Sequence, residues 1–171
     1  QKFEPMGVGR MLRVKINANI GTSSSDHKLD EELVKLDTAL HYNCEFLMDL
    51  STGPELNQIR SRILANWPRP LGTVPIYQAA SEVKDPNELT AAGLLRSIEE
   101  QAKQGVDFMT IHAGLKREHF PLIAKRLAGV VSRGGAILTR WMSFHNQENP
   151  LYEVYDEILE IFREYDVTIS L

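Results

Sequence analysis

Apolar positions in this chain alternate between two periods. Short runs at 13–20 (RVKINANI), 46–51 (FLMDLS), 71–77 (LGTVPIY), 107–113 (DFMTIHA), 129–132 (GVVS) and 166–171 (DVTISL) read as strands. Between them, 29–42, 55–66, 88–105, 118–127, 136–147 and 151–165 repeat their apolar residues at helical spacing. In the last of these Leu151, Val154, Tyr155, Ile158, Leu159 and Phe162 form one stripe. Asp30, Asn87 and Asn149 or Pro150 are helix-start signals, and Gly105 suits the position after a helix. Strands separated by helices predict βαβ units and a parallel sheet. No repeat, low-complexity tract or shift in composition divides the chain, so 1–171 reads as a single domain.

Two parallel architectures compete. A doubly wound sheet binds its ligand at a switch point, usually after a glycine-rich turn; here GTSSS follows the first strand, and it is not GxGxxG. A β/α barrel collects chemistry at the C-terminal ends of many strands. Asn19, Asp49, Tyr77, His112 and Ser132 stand at such ends, which favours the barrel. A complete barrel has eight strands and typically ~250 residues. The expectation is therefore an incomplete (β/α)8 TIM-type barrel of about six βα units, comprising its N-terminal and central part.

Composition narrows the function classes. The chain is 43% hydrophobic and 25% charged, ordinary for a globular protein. Its net charge of −4 and lack of a basic run give no case for nucleic acid or an anionic membrane surface. No apolar stretch approaches the roughly 18 residues of a membrane helix, and no signal-peptide pattern is present. Cys44 is the sole cysteine, so these residues hold no disulfide, CxxC zinc site or cysteine-ligated cluster. One cysteine suits a reducing compartment, and the expected location is the cytoplasm. Cys44 opens an apolar run, which favours a buried structural thiol over a nucleophile. The chain begins at Gln1, which suggests processing or a piece of something longer.

Three stretches carry candidate chemistry. The pleat of the first strand separates Lys15, Asn17 and Asn19 from Val14, Ile16, Ala18 and Ile20. Packing the apolar set under helices turns the polar set inward, where it forms a satisfied network or meets a polar ligand. Asn19, nearest the C-terminal end, favours the ligand. His112 ends a strand before Ala113 and Gly114, a place suited to proton transfer or ligand contact. His27, His41, His119 and His145 fall on expected loops or helices and read as solvated. No HxH or HExxH spacing argues for zinc. Ser132-Arg133-Gly134-Gly135 joins a strand to a helix, where backbone N–H groups and a guanidinium fork suit a phosphate. Gly-Gly is equally a plain turn signal, and both readings stand.

At these same residues the sequence resembles the phosphomethylpyrimidine synthase family. The blocks are KINANIG at 15–21, LMDLSTG at 47–53, PLGTVPIYQA at 70–79, DFMTIHAG at 107–114, GVVSRGGAI at 129–137 and HNQENPLY at 145–152. The resemblance implies a radical S-adenosylmethionine lyase with a β/α barrel. Such enzymes convert aminoimidazole ribonucleotide into hydroxymethylpyrimidine phosphate for thiamin. Carried over residue by residue, it implies substrate contacts from Asn19, Met48, Tyr77, His112, Ser132, Arg133 and Gly134, with His112 as the catalytic candidate. Met48 conflicts with the pleat, which aims Asp49 at the site and leaves Met48 with Phe46 and Leu50.

The chain also departs from the family. It stops at Leu171, before a GDGLRPG-like block, a later acidic residue, two metal-binding histidines and the C-terminal cysteine triplet that carries a 4Fe–4S cluster. The family's usual N-terminal region is missing too. S-adenosylmethionine, the cluster and zinc are thus implied by the family without ligands in these residues. An open sheet predicts association, with a homodimer expected. Other readings remain. The GTSSSD run at 21–26 and the segment 148–168 resemble short-form members, among which 5-hydroxybenzimidazole synthases of cobamide biosynthesis also occur. A non-catalytic barrel remnant binding a phosphorylated nucleotide and a Schiff-base aldolase using Lys15 complete the set.

Overall fold

The computed structural model describes residues 4–23 and 28–171, so the expectations for His27 and for positions 24–26 of the 21–26 run lie outside the described residues. Along the chain run β1 (Asn17–Ile20), α1 (Leu29–His41), β2 (Phe46–Asp49), α2 (Leu56–Asn66), β3 (Leu71–Thr73) and α3 (Pro75–Ser81). They are followed by α4 (Ala91–Lys103), β4 (Phe108–Thr110), α5 (Phe120–Ile123), α6 (Arg133–His145), α7 (Pro150–Glu153), α8 (Tyr155–Tyr165) and β5 (Thr168–Ser170). Short 3-10 helices occupy Pro86–Glu88, His112–Gly114 and Arg117–His119.

Local chemistry sets these boundaries. The Thr90 hydroxyl accepts from Gly93 N–H at 3.1 Å and starts α4. Gly105, at φ +94°, follows that helix in the left-handed region, as expected. Asn146 and Asp166 end α6 and α8 at φ 53° and 55°, a conformation their short polar side chains tolerate. Pro75, whose ring presets helical φ, opens α3 and cuts the expected strand 71–77 to three residues, placing Tyr77 on a helix. The stripe at 151–165 breaks at Val154 into α7 and α8. The expected helix 118–127 shortens to α5, and 136–147 begins earlier, at Arg133.

The five strands are all parallel and lie in chain order, β1-β2-β3-β4-β5. The order never reverses, so the switch point of a doubly wound sheet is absent among the described residues. The sheet is not closed. The fifth expected strand, 129–132, is not one. Thr168–Ser170 pairs with β4 instead, and Ile111 N–H donates to Ser170 O at 2.9 Å. Val131 stands in solvent, and Val130 packs beside Gly135.

Register sorts the side chains into two faces. Asn17 and Phe46 share a row, and Asn19, Met48, Gly72, Phe108 and Thr168 share the next on the same side. That side is the open one, with Asn17 and Asn19 exposed. A Cβ on Gly72 would stand 2.2 Å from the Phe108 ring, so glycine is required there; the ring meets Phe46 edge-on at 5.6 Å. Ala18, Ile20, Leu47, Asp49, Leu71, Thr73 and Met109 turn to the helices. Ile20, Leu47 and Leu71 pack with Leu36, Ile59, Ile63 and Trp67 of the α1–α2 side, while Met109 joins Leu94, Ile98, Leu138 and Ile158. The expectation that Val14 and Ile16 pack under helices fails: both precede β1 and are exposed.

Candidate functional site

The site forms beyond the C-terminal ends of the strands, where loops leave the sheet. β4 ends at Thr110, and His112 opens the 3-10 turn just past it. Across from it, Ser132 caps α6: its Oγ accepts from Gly135 N–H at 3.2 Å. The same Oγ lies 2.8 Å from His112 Nε2. The ring rests against the helix start so closely that a Cβ on Gly134 would come within 2.6 Å of Cε1. Arg133 carries its guanidinium over the Tyr77 ring, 5.2 Å from the centroid. Tyr77, His112, Ser132, Arg133 and Gly134, which lie on three separate segments, therefore form one contact chain.

Electrostatics at this place favour an anion. Arg133 and Gly134 belong to the first turn of α6, whose N–H groups have no helical carbonyl behind them. The partial positive charge of a 13-residue helix adds to the exposed guanidinium. Ser132 is a cap as well as a site residue, so the expected turn proves to be the helix's own first turn. Burial pushes the His112 pKa below the usual imidazole value, which holds the ring neutral near pH 7. Its Nδ1 is buried and has no hydrogen-bond partner.

Asn19 and Met48 form a second group, at the ends of β1 and β2. They are register partners on the open face, and Asn17 Nδ2 donates to Asn19 Oδ1 at 2.8 Å. This corrects the pleat expectation for β2: Met48 shares the face of Asn19, and Asp49 points the other way. Asp49 is 4% exposed; its Oδ1 accepts from Ser51 N–H at 3.0 Å, and Oδ2 lies 3.8 Å from Arg60 Nε. The Arg60 guanidinium reaches the side-chain oxygens of Asn57, Gln78 and Gln104, and Gln101 links Gln78 to Thr73. The Ser51 N–H and a cation that three amides hold in place accompany this carboxylate under the sheet, a possibility no strand pattern announces.

The loops that follow β1 and β2, just past Asn19 and Met48, are fastened together. Glu32 Oε2 accepts from Gly21 N–H at 2.8 Å, Thr22 N–H donates to Ser51 Oγ at 3.1 Å, and Leu50 N–H donates to Ile20 O at 2.8 Å. Gly21 lies so near the Leu50–Ser51 peptide that a Cβ would stand 2.6 Å from it, and its φ of +154° also favours glycine. Lys15 does not belong to the site. It precedes β1, bonds Arg13 O at 2.6 Å, and lines a cleft with Asp107 and Asp166 at the opposite ends of the strands. That placement removes the geometry a Schiff-base lysine needs beside the Ser132 turn. His119 and His145 are also engaged, with Lys116 N–H and Asn87 O.

A cysteine-held cluster does not fit the residues present. Cys44 is the only thiol, buried among Leu36, Ala39 and Trp67, and no group of three His, Cys, Asp or Glu among the described residues could hold a metal. Nor is any helix among them long and apolar enough to cross a membrane. One residue beside the site was legible only as a helix start. Asn149 does cap α7, but it also reaches the His112 turn; nothing in its sequence context announces the second role.

The chain is similar to proteins of known name. It is 54% identical to phosphomethylpyrimidine synthase of Haloarcula marismortui over 99% of this chain and 35% of that protein. With the enzymes of the same name from Halobacterium salinarum and Natronomonas pharaonis it shares 52% identity over 99% of its length, covering 36% and 35% of theirs. The chain thus spans about a third of the length of the curated relatives it matches. The model of the radical SAM ThiC family matches residues 1–171, and the chain belongs to that family.

Proposed function

We propose that this chain is the substrate-holding portion of a phosphomethylpyrimidine synthase, and that its strands begin a single β/α barrel domain. On this reading the whole protein is a lyase. It converts aminoimidazole ribonucleotide to hydroxymethylpyrimidine phosphate by radical S-adenosylmethionine chemistry, in the cytoplasm and as a homodimer. A 4Fe–4S cluster and zinc would be held by residues outside this sequence. The radical chemistry belongs to that group, and the residues here bind and orient. Arg133 and the first-turn amides of α6 receive the phosphate, Ser132 Oγ and Gly134 shape the cradle, and Tyr77 steadies the guanidinium. Asn19 and Met48 meet the far part of the ligand from β1 and β2. His112, neutral and with Nδ1 unpartnered, accepts or returns a proton there.

The observation that carries this reading is the convergence of Tyr77, His112, Ser132, Arg133 and Gly134 at the N-terminus of α6. Calorimetric titration of the whole protein with the ribonucleotide and with its dephosphorylated nucleoside tests it. Arg133→Ala should weaken ribonucleotide binding by about 1.5–3 kcal/mol and leave the nucleoside nearly unaffected. Arg133→Lys should recover only part, because an ammonium cannot form the fork. Equal discrimination between the two ligands by wild type and Arg133→Ala would show that the turn is not a phosphate cradle.

A further inference from the structure

Asn149 is fully buried, and its carboxamide is hydrogen-bonded at both its oxygen and its nitrogen. Oδ1 accepts from Leu151 N–H at 3.0 Å, which caps α7. Nδ2 donates to the carbonyls of His112 and Leu115, each at 2.8 Å, with Ala113 O at 3.5 Å. Its own N–H donates to Glu148 Oε1 at 2.8 Å, and that oxygen also accepts from Arg117 N–H at 3.0 Å. A cap requires only the acceptor, which aspartate or serine would supply equally well. The amide donor is surplus to that role, and it grips the turn on which His112 stands. The block HNQENPLY contains no residue that the substrate site uses directly, yet Asn149 from it lies one bond from the site.

We infer that Asn149 is a positioning residue for His112. Holding the His112 carbonyl fixes the direction in which the Cα–Cβ bond leaves the turn. That direction brings Nε2 to Ser132 Oγ and the ring against Gly134. This inference rests on the reading of His112 as part of the substrate site. Replacing the donor by an acceptor turns the grip into repulsion, because a carboxylate would face two carbonyl oxygens. A protonated carboxyl would restore one donor.

The test compares Asn149→Asp, Asn149→Ser and Leu151→Ala in the whole protein. Asn149→Ser keeps a cap but cannot reach His112, and Leu151→Ala loosens the same core without touching the amide. Two readouts are taken: the His112 ring resonances and titration in the ligand-free protein, and kcat and KM for the ribonucleotide. Asn149→Asp should raise the His112 pKa and lower kcat at least tenfold at pH 8, with KM changed less than threefold. Part of that kcat should return as pH falls and the carboxyl protonates. Asn149→Ser should shift the ring resonances without the pH-dependent return, and Leu151→Ala should leave them in place. Unchanged His112 resonances in Asn149→Asp and Asn149→Ser would overturn the inference, as would an equal shift in Leu151→Ala. Since the ring titration needs no substrate, absence of turnover by the wild type would count against the proposed function and leave this inference to be decided by the titration.

Discussion

The imidazole of His112 occupies the space that a side chain at Gly134 would need, with Cε1 at 2.6 Å and Nε2 at 2.7 Å from the place of a Cβ. Contacts so short cannot persist, so the ring and a side chain at 134 exclude each other. Gly134→Ala should therefore break the bond between His112 Nε2 and Ser132 Oγ. Overpacking of about 1–3 kcal/mol should outweigh the helix-propensity gain, about 1 kcal/mol at most. Urea denaturation together with the His112 titration checks this. A variant more stable than wild type with unaltered His112 resonances would refute the contact.

The ion pair under the sheet should make stability depend on pH in a defined direction. Burial raises the Asp49 pKa, opposed by the Ser51 hydrogen bonds and the Arg60 charge. The folded state thus keeps the proton to higher pH than the unfolded chain does. Its contribution is complete below the unfolded pKa and is lost as pH rises through the folded one. Arg60→Met removes the cation 3.8 Å away and should cost about 3–5 kcal/mol at pH 8 and less at pH 5. Asn at position 49 cannot ionise, so Asp49→Asn should flatten the dependence. Urea midpoints at the two pH values decide between these outcomes.

For His112 the sign is opposite in origin. Burial lowers its pKa, so the unfolded chain binds the proton more readily. Its contribution to stability is complete above the ordinary imidazole pKa and is lost as pH falls through the lowered folded value. A ring titration by NMR should place His112 below the usual range. In the whole protein, His112→Gln should lower turnover more than ribonucleotide affinity. An affinity loss equal to the turnover loss would make His112 a binding group only.

Cys44 is 9% exposed and sits among Leu36, Ala39 and Trp67. Its thiol should react with an aromatic disulfide reagent only as fast as the protein opens, and at least a hundredfold slower than in urea. Reaction in the native protein at the rate of a free thiol would contradict the burial.

The sequence by itself determined the alternation of elements. A period of two or of 3.6 is written locally, and the cap at Asn149 and the terminator Gly105 act within one turn. It also pointed to Asn19 and His112, because parallel strands alternating with helices put their C-terminal ends together and both stand near such ends. Ser132 was singled out at the end of a strand, 129–132, that does not form, and it reaches the site as the cap of α6. Tyr77 reached the site by a route the pattern did not show, on a helix that Pro75 starts.

Tertiary structure decided the rest. Whether 129–132 or 168–170 pairs with β4 depends on which segment arrives beside it, and hydrogen bonding to Thr168–Ser170 settled the matter. The facing of β2 was undecidable from its own residues. FLMD alternates Phe and Met against Leu and Asp, and a pattern reader assigns the charge to the open side. Burial of Asp49 depends on the Arg60 guanidinium, eleven residues downstream and itself held by Gln78, and on the Ser51 N–H. The grip of Asn149 on His112 spans 37 positions. Such long-range polar pairings leave no periodic trace in the chain, because they depend on where two distant backbones meet rather than on the spacing within either.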